Sequence, residues 1–305
     1  MQIYDVIVIG GGPAGYTGAM YTARAGLKTL VIEKMTVGGQ MTQTMQIDNY
    51  PGFPNGIDGI TLGMEMQAGA ARFGVETVYE AVTRVALADK IKQVETETGV
   101  YSGKTVLIAT GADHKHLGIE NEEDLIGRGV SYCATCDGMF FRNKTVVVVG
   151  GGNSAVADAL VLSRIAKEVI LVHRRDTLRA TKIYHDALQK ATNITYQWNS
   201  RIAKLQFENV LTGITVENVH TEALTEIPCD GLFVAIGREP ATTLFAGQLE
   251  LDSQGYIVAD ETTRTNLPGV YAAGDVRTKA LRQIVTATAD GAAAAYSIEG
   301  YLAEE

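Results

Sequence analysis

Residues 5–15 read DVIVIGGGPAG, and residues 145–155 read TVVVVGGGNSA. Each is a short β-branched run flowing into G-x-G-x-x-[GA]. A helix-like stretch follows, Tyr16 to Ala25 in the first copy and Val156 to Ala166 in the second. Then comes another apolar run, TLVIEK at 29–34 and EVILVHRR at 168–175. The spacing repeats as well: 23 residues separate Gly10 from Glu33, and 23 separate Gly150 from His173. A single Gly-rich turn says little. A strand–glycine–helix–strand unit present twice at one spacing points to two dinucleotide-binding βαβ units. Gly10 and Gly150 permit the tight turn, Gly12 and Gly152 let the backbone approach a pyrophosphate, and Gly15 and Ala155 let the helix sit close to the sheet. The helix N-terminus then offers unpaired N–H groups and its positive dipole end to the phosphates.

The end of the second strand selects the nucleotide. In the first unit it carries Glu33, whose carboxylate can accept from two ribose hydroxyls and would repel a 2′-phosphate. In the second it carries His173-Arg174-Arg175, with Arg179 four residues on. Guanidinium groups there bind a 2′-phosphate. The first unit therefore suits an unphosphorylated ribose, as in FAD or NAD, and the second suits NADP(H).

Three further runs read as strands delivering a Gly to a bound group: TVLIATG at 105–111, GLFVAIGR at 231–238 and PGVYAAGD at 268–275. They bracket the second unit, so the expected architecture is α/β. Two Rossmann-like dinucleotide-binding domains are expected, the second, suited to NADP(H), inserted into the first. The first domain is expected at 1–113 and 242–305 and the insert at 116–239, with crossovers near Gly111–Leu117 and Arg238–Ala241. Residues 205–228 read as a β-meander. Residues 281–303 read as a final helix rich in small residues, with Arg282 and Gln283 in its first turn.

Composition excludes other classes. The 305 residues include 26 Lys+Arg and 35 Asp+Glu, a formal charge of −9, which argues against nucleic acid or an anionic membrane as the main partner. At 46% apolar and 20% charged the chain can build sizeable cores. The most apolar window, Val146 to Leu162, is broken by three Gly, an Asn, a Ser and an Asp, so no transmembrane helix is expected. The start, Met-Gln-Ile-Tyr-Asp, lacks a basic region, so it does not read as a signal peptide, and a cytoplasmic protein is expected.

Three cysteines are too few for a disulfide scaffold. Cys229 lies alone in a Val/Ile-rich stretch and reads as a buried small apolar residue. Cys133 and Cys136 form a C-x-x-C that ends 14 residues before Gly150. A structural zinc site would need four ligands, and no second C-x-x-C or nearby Cys/His pair exists. An inert reduced pair is a further alternative. A redox-active dithiol fits a βαβ context best. Asp137, next in the chain, suits proton transfer in thiol–disulfide exchange or, compatibly, a helix N-cap.

Taken together, GGGPAG at 10–15, GGQ at 38–40, CATCD at 133–137, GGGNSA at 150–155, HRR at 173–175 with Arg179, AIGR at 235–238, AAGD at 272–275 and RQI at 282–284 resemble bacterial low-molecular-weight thioredoxin reductases, in the class-II pyridine nucleotide-disulfide oxidoreductase family. The resemblance covers essentially the whole chain. It implies FAD on Gly10, Gly12, Gly15, Glu33, Gly38, Gly39, Gln40, Asn49, Asp275, Arg282, Gln283 and Ile284; Pro13, Ala14, Gly111 and Gly274 are further expected cofactor-binding residues. It implies NADPH on Gly152, Asn153, Ser154, His173, Arg174, Arg175, Arg179, Ile236 and Gly237. It further implies that Cys136 faces the flavin and Cys133 attacks the protein substrate. A homodimer, a thioredoxin or thioredoxin-like partner, and domain rotation between two working states follow from the same resemblance. Arg238 and Ser154 stand where many relatives have His and Thr. A branch of the family that depends on ferredoxin lacks the Gly and Arg signatures of the second unit, which this chain keeps. A redox sensor or scaffold, switching a partner without turnover, is the competing class; a complete NADPH site favours the enzyme.

Overall fold

Val6 and Val8 point to one side of their strand, Ile7 and Ile9 to the other, and all four are buried. The same alternation continues across neighbouring strands. Ile7, Ile9, Leu30, Ile32, Val106 and Ile108 join one apolar cluster, and Val6, Val8, Val31 and Leu107 join another. A sheet buried on both faces is what continuous β-branched runs specify. The structure is a computed structural model that describes residues 2–44 and 46–304. Two units are distinct: Met1–Asp113 with Glu239–Glu305, and His114–Arg238.

Among the described residues, the first unit holds a seven-stranded sheet. Its order is Glu76–Tyr79, Thr29–Glu33, Ile3–Ile9, Val100–Ile108, Lys92–Thr96 and Val82–Ala86, with Val270–Ala272 beside the end of Val100–Ile108. The strands around Ile3–Ile9 run parallel; Lys92–Thr96 and Val82–Ala86 form an antiparallel extension. Helix Pro13–Arg24 follows the first glycine turn, and helix Ile284–Ala303 lies against it. Small residues set that approach: a Cβ on Gly291 would overlap the carbonyl oxygen of Ala14, and one on Gly18 would overlap Leu107. The final helix begins at Ile284, with Gln283 as its N-cap in a capping box with Thr286. Arg282 and Gln283 therefore precede the first turn rather than lie in it, because the Gln283 side chain and Thr286 satisfy the end of the helix at that point.

The second unit is built on five parallel strands in the order Ile194–Gln197, Glu168–Val172, Thr145–Val149, Gly231–Val234 and Val130–Ser131. Helix Asn153–Ser163 covers one face, where Ala155, Val156, Ala159 and Leu162 meet Val146, Val148, Val169 and Leu171. An antiparallel meander, Ser200–Phe207, Leu211–Asn218 and Leu224–Pro228, covers the other through Ile202, Leu205, Leu211, Ile214 and Val216. Cys229 is buried on that side, and burial, with Asp230 next to it, pushes its thiol up to about 12. Among the described residues no helix is long and apolar enough to cross a membrane.

Candidate functional site

In the first unit the expected residues gather at the C-terminal ends of the parallel strands, where open α/β sheets bind ligands. Gly10 has φ +106°, and a Cβ there would overlap the carbonyl oxygen of Ala109, so only glycine fits the turn. Gly12 is different. Its φ is an ordinary −84°, and a Cβ there would meet nothing within 4 Å. Nothing in the protein's own contacts demands glycine at 12; the space beside it has the room that a phosphate needs at a helix N-terminus. Pro13, Ala14 and Gly15 form the first turn of the helix. Glu33 closes the loop: Gly11 N–H donates to its Oε2 at 2.6 Å and Met35 N–H to its Oε1 at 3.1 Å. Gly38 N–H donates to Gly11 O at 2.8 Å, which brings Gly38, Gly39 and Gln40 alongside the turn. Gln40 donates to Asp113 at 2.7 Å, and Asn49 donates to Gln283 at 3.0 Å. Gly111 follows the strand Val100–Ile108, and Gly274 and Asp275 follow Val270–Ala272. The Arg282 guanidinium stacks 4.0 Å over the Tyr256 ring, and Ile284 opens the final helix.

A buried charge cluster anchors this end of the first unit. Asp290, inside the small-residue helix, accepts from Arg277 through both oxygens at 2.8 and 2.9 Å, from Lys279 at 2.8 Å and from Gly274 N–H at 2.8 Å. Burial alone would raise its pKa; the bonds from Arg277, Lys279 and Gly274 outweigh that and hold the carboxyl below the usual range. Asp290 thus ties the Gly274–Asp275 turn to the final helix. No local motif marks it. The available signal was one carboxylate in an otherwise small and apolar helix face, which has to find cations when buried.

In the second unit Gly152 repeats the pattern of Gly12, with φ −94° and nothing within 4 Å of a Cβ. Asn153 and Ser154 start the helix, and Asn153 Oδ1 accepts from Thr181 N–H at 2.8 Å. His173 lies flat under the turn, where a Cβ on Gly151 would overlap its ring. It is buried, and its Nε2 has no hydrogen-bond partner among the described residues. Burial first, then Arg179, Arg175 and Arg174, hold its pKa below the ordinary imidazole value. Arg174, Arg175 and Arg179 are exposed, and the Arg179 N–H donates to Gly151 O at 2.7 Å, so the arginine segment is tied to the glycine turn. Ile236 and Gly237 follow the strand Gly231–Val234. On helix Asn153–Ser163, burial pushes the Asp158 carboxyl up to about 7 against the pull of Arg238.

The same unit carries the cysteines. Cys133 and Cys136 are joined in a disulfide with Cα atoms 5.3 Å apart, both half-exposed. Helix Ala134–Asp137 begins between them, with Cys133 as N-cap. Asp137 is the last residue of that helix and stands at the N-cap position of the 3-10 turn Gly138–Phe141, but its side chain makes no capping hydrogen bond. It instead accepts from Ser131 Oγ at 2.6 Å, and burial raises its pKa while Ser131 opposes. Ser131 Oγ also accepts from Cys133 N–H at 3.1 Å. The segment before Cys133 is braced by buried Glu122, which accepts from Tyr132 OH at 2.6 Å and from Leu117 and Gly118 N–H at 2.8 Å. Ser131, Tyr132 and Glu122 are positioning residues that the motif alone did not reveal.

These features agree with the comparisons. Residues 4–291 match the pyridine nucleotide-disulphide oxidoreductase family. A thioredoxin reductase of Streptomyces coelicolor is 47% identical over 305 residues, covering 99% of this chain and 95% of that protein. One of Treponema pallidum is 45% identical over 299 residues, covering 98% and 97%. The solved thioredoxin reductase of Streptococcus pyogenes superposes with a TM-score of 0.93 at 43% identity, covering 99% of each chain. The chain belongs to the pyridine nucleotide-disulphide oxidoreductase family.

Proposed function

We propose that this protein is an NADPH-dependent thioredoxin-disulfide reductase. It passes electrons from NADPH through FAD to the Cys133–Cys136 disulfide and on to thioredoxin or a thioredoxin-like protein. The observation that carries this reading is the half-exposed disulfide in the same unit as a glycine turn tied to three exposed arginines. The open space beside Gly12 and Gly152 supports two bound pyrophosphates. The first turn holds FAD through residues 10–15, Glu33, residues 38–40, Asn49, Gly111, Gly274, Asp275 and residues 282–284. The second holds NADPH through residues 152–154, His173, Arg174, Arg175, Arg179, Ile236 and Gly237. FAD, when bound, supplies the two-electron step between the nucleotide and the disulfide.

The chain's own residues do the rest. Two electrons open the Cys133–Cys136 bond. The Cys133 thiolate attacks one sulfur of the partner's disulfide, and the other partner sulfur leaves and takes a proton. The Cys136 thiolate then attacks Cys133 Sγ in the mixed disulfide, restores the internal bond and releases the second partner thiol. Asp137, half-buried and held by Ser131, gives and takes the proton. The protein acts as a cytoplasmic homodimer. Exposed apolar side chains on the first unit, Met35, Ile60, Met64 and Tyr296, support association of copies, and the absence of a disulfide scaffold in the sequence supports a reducing compartment.

The absorption spectrum tests the reading. The purified protein is expected to be yellow, with one FAD per subunit, to bleach with NADPH without oxygen, and to consume NADPH steadily when a thioredoxin disulfide is added. A folded protein that takes up no FAD, or one that bleaches but never turns over, refutes it.

A further inference from the structure

Beyond the arginine strand end stands an aromatic pair. Strand Ile194–Gln197 runs parallel to Glu168–Val172, with Gln197 opposite Val172. Where the strands stop, the backbones stay joined. His173 N–H donates to Gln197 O at 3.0 Å, Asn199 N–H donates to Arg175 O at 3.2 Å, and Ser200 N–H donates to His173 O at 3.0 Å. Trp198 sits in the middle of these bonds, so its place beside the arginine segment is fixed. Its ring stacks on that of Tyr196, with centroids 4.9 Å apart and planes within 3° of parallel, and meets the His173 ring edge-on with centroids 6.4 Å apart. Neither aromatic is buried, and Tyr196 is 37% exposed. Two large stacked rings kept at the rim of a sheet, rather than in its core, offer a planar apolar surface to something outside the chain.

Nucleotide chemistry says what. In NADP(H) the 2′-phosphate and the adenine hang from adjacent carbons of one ribose. If Arg174, Arg175 and Arg179 hold the phosphate at the end of Glu168–Val172, the base lies within one sugar ring of them. The neighbouring strand end, which carries Tyr196 and Trp198, borders that space. We propose that the Tyr196–Trp198 pair is the stacking surface for the adenine of the pyridine nucleotide and contributes to its affinity. This inference rests on the assignment of NADPH to the second unit. Stacking of a base on an aromatic side chain is worth about tenfold or more in affinity.

Trp198 is the sole tryptophan of the sequence, so its emission reports on this surface alone. The holoenzyme is titrated with adenosine 2′,5′-bisphosphate, which carries the base and both phosphates but no nicotinamide. A saturable change in Trp198 emission is expected in the wild-type protein. By calorimetry, Trp198→Ala is expected to weaken binding about tenfold and Trp198→Phe to restore it to within about threefold. In turnover, Trp198→Ala is expected to raise the NADPH KM far more than it lowers kcat. If the probe binds in an Arg174- and Arg175-dependent manner while the emission stays constant and Trp198→Ala keeps its affinity, the stacking surface is overturned and the NADPH site stands. If the probe does not bind the wild-type protein at all, the NADPH assignment fails and this inference falls with it. The wild-type titration needs no variant, so a Trp198→Ala protein that does not fold leaves the test intact.

Discussion

Replacing Asp290 by Asn keeps the shape of the side chain and removes its charge. In the native cluster both carboxylate oxygens are occupied by donors: Arg277 Nη2 at 2.8 Å on Oδ1, and Arg277 Nε, Lys279 Nζ and Gly274 N–H at 2.8–2.9 Å on Oδ2. An amide has a single acceptor oxygen, so in either orientation its NH2 faces another donor. Arg277 is 2% exposed and cannot turn to water for compensation; the nearby Glu261 carboxylate, 3.5 Å from it, is almost wholly solvated and offsets little. Removing one partner of a buried ion pair costs about 3–5 kcal/mol. For a domain of this size each kcal/mol lowers Tm by about 2–4 °C, which gives a fall of roughly 6–20 °C. Because the Gly274 N–H shares this carboxylate with Arg277 and Lys279, FAD affinity is expected to fall with it. The assay is urea unfolding followed by circular dichroism and flavin emission, with and without added FAD. The pH dependence has a definite sign. The Asp290 carboxyl is held below its ordinary pKa, so its contribution is present above about pH 4 and is lost as pH falls through the lowered native value. The gap between variant and wild type should therefore narrow in acid. An unfolding free energy within about 0.5 kcal/mol of wild type, with FAD affinity unchanged, would refute the anchoring role.

Other expectations are more local. Arg174→Ala with Arg175→Ala should raise the NADPH KM roughly a hundredfold and leave NADH nearly unaffected; equal losses with both nucleotides would show that the arginines do not read the 2′-phosphate. Cys133→Ser should still be bleached by NADPH yet fail to reduce thioredoxin, while Cys136→Ser should trap a thioredoxin adduct on Cys133, and mass spectrometry finding adducts only on Cys136 would reverse the roles. Ser131→Ala removes the bond that opposes the raised Asp137 pKa, so the limb of the pH–rate profile that reports Asp137 should move to higher pH; a profile that does not move counts against Asp137 as the proton carrier. Burial pushes the Asp158 carboxyl up to about 7, above its unfolded value, so its own contribution to stability falls as pH rises between about 4 and 7. Asp158→Asn should gain Tm relative to wild type at pH 8 compared with pH 5, and a calorimetric difference independent of pH would contradict the shift.

The two glycine turns were legible because their chemistry is local. Gly10 must take a positive φ, and the space beside Gly12 depends only on a few neighbours in the chain, so both are written in adjacent letters. The arginine strand end was legible for the same reason, since a strand followed by a fixed count of residues places it. Asp290 was not, because its partners Arg277 and Lys279 stand in an irregular stretch before the final helix, whose path no periodicity fixes. Asp137 is legible by position only: it stands at the N-cap of Gly138–Phe141, but its carboxylate is taken by Ser131, which reaches it from a strand. The place of Tyr196 and Trp198 beside the arginines is not legible, because it depends on the register that sets Gln197 opposite Val172, which no single segment contains.

The depth at which Cys229 lies makes the protein a clean redox meter. Its thiol is 5% exposed and its pKa is pushed up to about 12, so at neutral pH it presents almost no thiolate to an alkylating reagent. Every thiol that a brief native labelling detects then belongs to Cys133 or Cys136. Counting labels on the intact protein by mass, zero when the pair is oxidised and two when it is reduced, gives the occupancy of each state directly. Titrated against a dithiol buffer of known poise, the same count returns the reduction potential of the Cys133–Cys136 couple without any subtraction for the third cysteine.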